Sequence, residues 1–412
     1  MLTRDPFASW PLLCARSSQL TEDGAREWEV ESPITFKYKV REALDVLDPA
    51  SDALIFGHIS NAEDLARAKS RPLKRVVVVD ENVHRLYGDR IEAYFEHHSA
   101  EMRLLVLPTD EEHKDMDMVL EIAAAIHDLG IDRRLDPVIA IGGGVCMDIV
   151  GFAASIYRRR TPYVRVPTTL MGYVDASVGA KSGVNFQGKK NKLGAYLPPV
   201  LTLLDRSFLA TLDSRQLANG AAEIAKMALV KDPELFELLA TYGSKLIEHK
   251  FQELPDDLGV DVPKRVLDSS IHTMLEELAP NLWEDSLVRL VDFGHVFSME
   301  LEMAMLFDEK LYHGEAVAID MAFSAVLAQV RDQIDRPTLV SIIDMLRGLQ
   351  LPVWHEKFDA AMCNEALYER VKFSQGQKIP LPVAAGMSRI FDDITQDQCI
   401  EALAVWRELC AD

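Results

Sequence analysis

The stretch "PVIAIGGGVCMDIVGFAASIY", residues 137–157, limits the possible folds of this chain more than any other. It is the most apolar run in the sequence, and long enough to raise the question of a bilayer span. Asp148 and the triplet Gly142-Gly143-Gly144 argue for a buried strand that turns through glycine into a helix instead. The same pattern recurs around it. "RVVVVDENV" (75–83) is a β-branched run with polar groups at its carboxyl end, "MRLLVLPTD" (102–110) is another, and "PYVRVPTTL" (162–170) follows. "SPITFKYKV" (32–40) alternates apolar and polar residues like a strand. "MDMVLEIAAAIHDLGI" (116–131) and "MDIVGFAASIYRR" (147–159) have helical spacing, the first closing near Gly130. Strands alternating with helices predict a Rossmann-like parallel α/β sheet with helices on both faces.

The texture changes after about residue 205. From "DSRQLANGAAEIAKMALVKDPELFELLATYGSKLIEHK" (213–250) the apolar residues follow helical spacing, and strand-like runs are scarce until "KIPLPVAAG" (378–386). "FQELPDDLGVDVPKR" (251–265) reads as a surface loop. The expected organisation is a variable, partly disordered tail over 1–31, an α/β domain over 32–205 and a mainly helical domain over 206–412.

Charge restricts the partners. The chain carries 65 Asp+Glu against 44 Lys+Arg, a net charge of −21, which excludes a nucleic-acid or anionic-membrane partner. A small anionic substrate is still permitted if positive charge is concentrated locally. "DASVGAKSGVNFQGKKNKLG" (175–194) is such a concentration, read as a short flexible basic loop. It offers Asp175, Lys181, Asn185, Lys189, Lys190, Asn191 and Lys192, after Arg158, Arg159, Arg160 and Arg165. Lysines pair with phosphate, and asparagines bond hydroxyls in both directions. A solubilising surface loop is the plainer reading. The five cysteines (Cys14, Cys146, Cys363, Cys399, Cys410) form no CxxC, and "MLTRDPFASWPLLCARSSQL" has no signal-peptide core, so reduced thiols in the cytoplasm are expected.

Several residues are candidates for chemistry. The glycine triplet is placed to let backbone N–H groups approach a pyrophosphate, or simply to make a tight turn. Asp80 ends a strand, where acids bond ribose hydroxyls or form turns. Glu223, His295 and His313 match the composition of a catalytic zinc site, although their wide separation hides whether they meet. Lys226 follows Glu223 by three positions, on the same helix face.

In combination the motifs are specific. "DENV", "GGGVCMD", "RVPTTLMGYVDASVGAKSGVN", "KKNKLGAY", "NGAAEIAK", "FGHVFS" and "YHGEAVAIDM" occur in that order and resemble sugar phosphate cyclases of the dehydroquinate synthase-like superfamily, from about residue 32 to the C-terminus. The resemblance implies an active site between a Rossmann-like and a helical domain, NAD, a divalent metal (Zn2+, with Co2+ as the alternative) and a homodimer. It implies Glu223, His295 and His313 as metal ligands, and Asp80, Asn82, Glu111, Lys114, Gly143, Gly144, Asp148, Thr168 and Thr169 around NAD. It further implies catalytic roles for Asp175, Lys181, Asn191 and Lys226, and substrate contacts for Lys190, Asp292 and Lys372.

The departures bear on the substrate. Dehydroquinate synthase has a second histidine where this chain has Met299, a lysine where it has Met274, and asparagine where it has Asp292. A cation for the carboxylate of a heptulosonate is therefore missing. The pattern resembles the branch that cyclises sedoheptulose 7-phosphate, and "VGAKSGVN" and "HGEAVAIDMA" resemble its valiolone-forming members. The implied reaction yields 2-epi-5-epi-valiolone and phosphate by transient NAD oxidation, β-elimination, reduction and intramolecular aldol closure, which makes the enzyme a carbon–oxygen lyase. Formation of desmethyl-4-deoxygadusol or 2-epi-valiolone, dehydroquinate synthesis, and polyol dehydrogenation remain alternatives.

Overall fold

The structure is a computed structural model that describes residues 16–20, 26–29, 35–255, 260–305, 311–374 and 376–410. The chain divides after Tyr38 into two compact units. In the first, β1 (Arg16–Leu20) pairs antiparallel with β2 (Arg26–Glu29). The region expected to be partly disordered thus contains a strand pair, while residues 1–15, 21–25 and 30–34 lie outside the described residues.

The second unit is built on a six-stranded sheet in the order β3 (Lys39–Glu42), β10 (Leu201–Leu204), β7 (Tyr163–Pro167), β6 (Val138–Gly142), β4 (Leu73–Asp80), β5 (Ala100–Leu107). Every neighbouring pair in it is parallel. Each residue of β6, β7 and β10 is buried, as expected for parallel strands covered on both faces. Val77, Val79, Ile139 and Ile141 pack with Ile91, Tyr94 and Phe95 of the helix Glu81–His97. The opposite face is covered by the helix Gly144–Ile156.

Two strand boundaries differ from expectation. Of the alternating run 32–40, residues 35–38 are not strand and Lys39 begins one, while 32–34 lie outside the described residues. β4 stops at Asp80 because that side chain caps the next helix, accepting from Asn82 N (2.9 Å) and Val83 N (3.1 Å), which makes Glu81, Asn82 and Val83 helical.

Outside the main sheet, the basic segment is not a loop. β8 (Lys181–Phe186) and β9 (Lys189–Tyr196) form an antiparallel hairpin. Gln187 and Gly188, both at positive φ (49° and 73°), make the two-residue turn whose twist suits paired strands.

The rest is mainly helical, with a short antiparallel pair, β11 (Ile379–Ala384) and β12 (Met387–Phe391). The helix His313–Val330 lies at the centre and is buried from Gly314 to Ala328. Around it pack the helices Ser214–Lys231, Ser298–Ala304, Arg336–Gly348 and Gln396–Cys410. The expected loop 251–265 is partly helical. Asp261 caps a helix starting at Val262, with Pro263 in its first turn. Residues 256–259 of that segment lie outside the described residues. Among the described residues no helix is long and apolar enough to cross a membrane. The fold is an α/β parallel-sheet region followed by a mostly helical one, as the motifs implied.

Candidate active site

Two glycines bring the critical helices together. A Cβ on Gly220 would lie 2.4 Å from Met171 N, so only glycine lets the helix Ser214–Lys231 approach the 170–171 backbone this closely. A Cβ on Gly314 would lie 2.0 Å from Asn219 O, and Gly314 N donates to Asn219 Oδ1 at 2.7 Å. The N-terminus of the helix His313–Val330 is thereby seated on the helix carrying Glu223.

As a result Glu223, His295 and His313 converge, with one ligand atom from each lying within 4.8 Å of the others. Glu223 Oε1 is 3.6 Å from His295 Nε2 and 3.5 Å from His313 Nε2. Each imidazole has its other nitrogen anchored: His295 Nδ1 on Phe293 O at 3.1 Å, His313 Nδ1 on Glu302 Oε1 at 2.8 Å. Both carboxylate oxygens of Glu223 are buried and neither accepts a hydrogen bond of ordinary geometry, although the Lys226 ammonium stands beside Oε2 at 2.5 Å. A buried carboxylate with open lone pairs, faced by two Nε2 atoms held from behind, fits a divalent cation with N/O ligands.

The electrostatics are those of a site awaiting positive charge. Burial opposes ionisation of Glu223, but Lys226 and the two imidazoles outweigh it and hold the carboxyl well below its usual range. Burial and the neighbouring Lys226 push His295 down to about 4, so its nitrogen is free of a proton. Burial works against the charged form of His313 too, yet Glu223 and Glu302 raise it to about 10; a metal would replace that proton. Lys226 is buried at some cost but kept protonated by Glu223 and Asp175. Burial and the Glu223 charge raise Asp175 above the usual carboxylate range.

The hairpin lies alongside. Lys190 Nζ pairs with Glu302 Oε2 at 2.9 Å, and the exposed Lys181 pairs with Glu284. Lys189 and Lys192 face solvent. Asp292 is buried and engaged by Arg289 Nη2 (2.7 Å) and Arg370 Nη1 (2.9 Å). Lys372 lies on the helix Ala360–Ser374. It is exposed and pairs with Glu369 on its own helix, and Arg370, two residues earlier, is the cation of that helix that reaches Asp292. Met274 is buried in the helical core, and Met299 is exposed.

A second cluster sits where the sheet reverses direction. From β4 the chain steps outward to β5, then returns to place β6 on the other side of β4; ligands bind at such switch points. Asp80 ends β4, and the glycine triplet ends β6. The helix Gly144–Ile156 begins at Gly143 without a capping side chain, which leaves its first N–H groups open to an anion. A Cβ on Gly143 would crowd Thr169 Cγ2 at 3.1 Å. Asp80 Oδ2 accepts from Thr109 at 2.6 Å, so its carboxylate is tied both to the cap and to the next strand's end. Lys114 bonds Asp148 (2.7 Å) and Asn191 (2.6 Å), and Asn185 Nδ2 bonds Glu111 Oε1 (2.9 Å). The hairpin is thereby tied to this crevice as well as to the Glu302 side. The N–H array and the glycine-lined turn suit the diphosphate of a dinucleotide.

Sequence reasoning missed Glu302 and Asp320. Glu302 bridges Lys190 and His313; burial opposes its charge, but those two cations hold it down at about 2. Asp320, fully buried, accepts from the backbone N–H groups of Val296 (2.9 Å), Phe297 (2.6 Å) and Ser298 (2.9 Å). The only signal was spacing. Each acid lies seven residues after one of the histidines.

Residues 104–219 match the family described as 3-dehydroquinate synthase N-terminal, and residues 220–372 match 3-dehydroquinate synthase C-terminal. The chain is 44% identical over 386 residues to 2-epi-5-epi-valiolone synthase of Actinomyces sp., covering 93% of this chain and 99% of that protein. It is 46% identical over 390 residues to the 2-epi-5-epi-valiolone synthase of Streptomyces hygroscopicus subsp. jinggangensis, covering 94% and 91%. A solved structure of 2-epi-5-epi-valiolone synthase from the latter organism, with NAD+ and Zn2+ bound, superposes with a TM-score of 0.83 at 44% identity, covering 93% of this chain and all of that one.

Proposed function

The chain belongs to the 3-dehydroquinate synthase family, and within it we propose a sugar phosphate cyclase that converts sedoheptulose 7-phosphate to 2-epi-5-epi-valiolone with loss of phosphate. The observation that carries the reading is the open, buried Glu223 carboxylate facing two anchored imidazoles, in a chain 44–46% identical to such synthases over most of its length.

In this reading Glu223, His295 and His313 hold a divalent ion, Zn2+ or Co2+. Asp80, Asn82, Glu111, Lys114, Gly143, Gly144, Asp148, Thr168 and Thr169 surround NAD at the switch point. When bound, the ion polarises a substrate hydroxyl and NAD serves as a transient hydride acceptor. The protein's own groups do the rest. Lys190 and Lys181, each held by a carboxylate in the structure, turn to the substrate phosphate. Lys226, protonated beside the ligands, stabilises oxyanion charge as it develops. Asp175 and Asn191 orient hydroxyls, and Asp292 with its two arginines borders the substrate. Met299 offers no titratable atom, and in this reading the departing phosphate takes the proton during elimination. The reaction breaks a C–O bond by elimination, which makes the enzyme a carbon–oxygen lyase. Domains at 32–205 and 206–412, a homodimer and a cytoplasmic setting complete the reading.

The test is incubation with sedoheptulose 7-phosphate, catalytic NAD and Zn2+, with the carbocycle identified by NMR and phosphate release measured. NAD in substoichiometric amounts should suffice. Stoichiometric accumulation of NADH without phosphate release would mark a polyol dehydrogenase and overturn the proposal.

A further inference from the structure

We propose that Asp320 and Glu302 form a reciprocal clamp that sets the metal affinity of the site, each acting as a positioning residue for one histidine. The inference rests on the metal-site reading above.

The helix Ser298–Ala304 has seven residues and begins after Phe297, whose side chain cannot cap it. An uncapped helix start leaves N–H groups unsatisfied, which is costly in a buried place. The missing acceptor comes from a different helix. Asp320 Oδ2 takes the N–H groups of Val296, Phe297 and Ser298, and its Oδ1 accepts from Ser324 Oγ at 2.9 Å. His295 directly precedes this capped segment, so Asp320 fixes the backbone that carries its ring, while Phe293 O holds the ring's Nδ1. In return, Glu302 on the short helix reaches back to His313 Nδ1, at the start of the helix that carries Asp320.

The two elements therefore fix each other at two points. The helix His313–Val330 supplies one ligand directly and positions the other through Asp320. The segment 295–304 supplies that other ligand and orients the first through Glu302. A carboxylate behind an imidazole fixes its tautomer and raises the basicity of the coordinating nitrogen. Neither acid touches the cation position, and both act on where Nε2 points.

The test uses the full-length protein and Zn2+, with affinity measured by competition against a chromophoric chelator, and Co2+ substitution to read coordination geometry from the visible absorption. Glu302→Gln keeps shape and removes charge; it should weaken Zn2+ binding by about 10–100-fold and shift the Co2+ bands. Asp320→Asn should weaken binding less, because the amide oxygen still accepts from the three N–H groups and only the carboxylate charge and the bond from Ser324 change. The double variant should lose less than the product of the two, since both break one clamp. Melting of the metal-free proteins gives the purely structural cost. Zn2+ affinity within twofold of the parent for Glu302→Gln, with unchanged Co2+ bands, overturns the clamp, and this variant decides alone if Asp320→Asn does not fold. Glu223→Ala separates the two readings. If it retains stoichiometric Zn2+, the metal-site assignment is wrong. If it loses Zn2+ while both clamp variants bind normally, only the clamp is wrong.

Discussion

Two buried charge clusters in this molecule are built in opposite ways. Near the start of β4, Arg75 and Asp136 are both fully buried. Asp136 receives Arg71, Arg75 and the backbone N–H of Asp132, while Arg75 also donates to Ile55 O and Lys74 O. Burial raises the cost of the Asp136 charge, but its hydrogen bonds hold its carboxyl below the usual range. The cluster is closed; almost every lone pair and proton has a protein partner. At the other cluster the carboxylate of Glu223 is equally buried and has a lysine beside it, yet both its oxygens lack a hydrogen bond. Lys226 and the imidazoles stabilise that charge without using up its lone pairs, which leaves acceptor capacity for a cation. Closure serves stability, and an opening marks where a ligand belongs.

The contrast can be broken by mutation. Glu223→Ala has the largest expected effect: loss of bound metal and a fall in turnover on the order of 10³-fold or more. Full activity with normal metal content would defeat the ligand assignment. Asp136→Ala should act on the closed cluster only, destabilising the fold by about 3–5 kcal/mol by leaving Arg75 buried and unpaired. Its melting temperature should drop while the folded fraction binds metal normally; reduced metal affinity in folded protein would erase the distinction. A pH titration sharpens the same contrast. His58, bonded to Leu135 O and close to Arg75, is driven down to about 4, first by burial and then by that guanidinium. Its folded value lies below its unfolded one, so the unfolded chain takes up the proton first. Stability should fall as pH drops from about 6.5 to about 4, by roughly 3 kcal/mol at most. Urea midpoints across this range should show that slope, and His58→Gln should flatten it. The smallest effect is on the substrate side. Lys190→Ala should weaken a phosphate-bearing substrate by about 10–100-fold and its dephosphorylated analogue far less. Equal losses for both in KM would sink the phosphate role.

The sheet was legible because its strands announce themselves as β-branched runs ending in Asp or Gly, and because helical spacing fills the gaps. The boundaries were less so. β4 ends where Asp80 caps a helix, a contest between two local preferences that composition does not decide. The hairpin was read as a loop because lysine, asparagine and glycine obscure the period of two, although "FQGK" places a glycine at the second position of a two-residue turn. The metal candidates could be named singly, but 72 residues separate Glu223 from His295, and only the folded chain shows that they meet. Asp320 and Glu302 gave no chemical signal at all. Their meaning lies in backbone N–H groups and a ring nitrogen supplied by other segments. Arg370 was not among the candidates, because the reach of a side chain is not written in its position.

The helix His313–Val330 is buried from Gly314 to Ala328 and turns no face of that stretch to water, its acids Glu315 and Asp320 included. Such a segment cannot hold its shape alone during synthesis. It waits for neighbours, among them the helix Gln396–Cys410, whose Trp406 stacks near Phe323 at 5.4 Å and bonds Val353 O. The helix that begins at His313 is thus held by side chains that lie far along the chain from it.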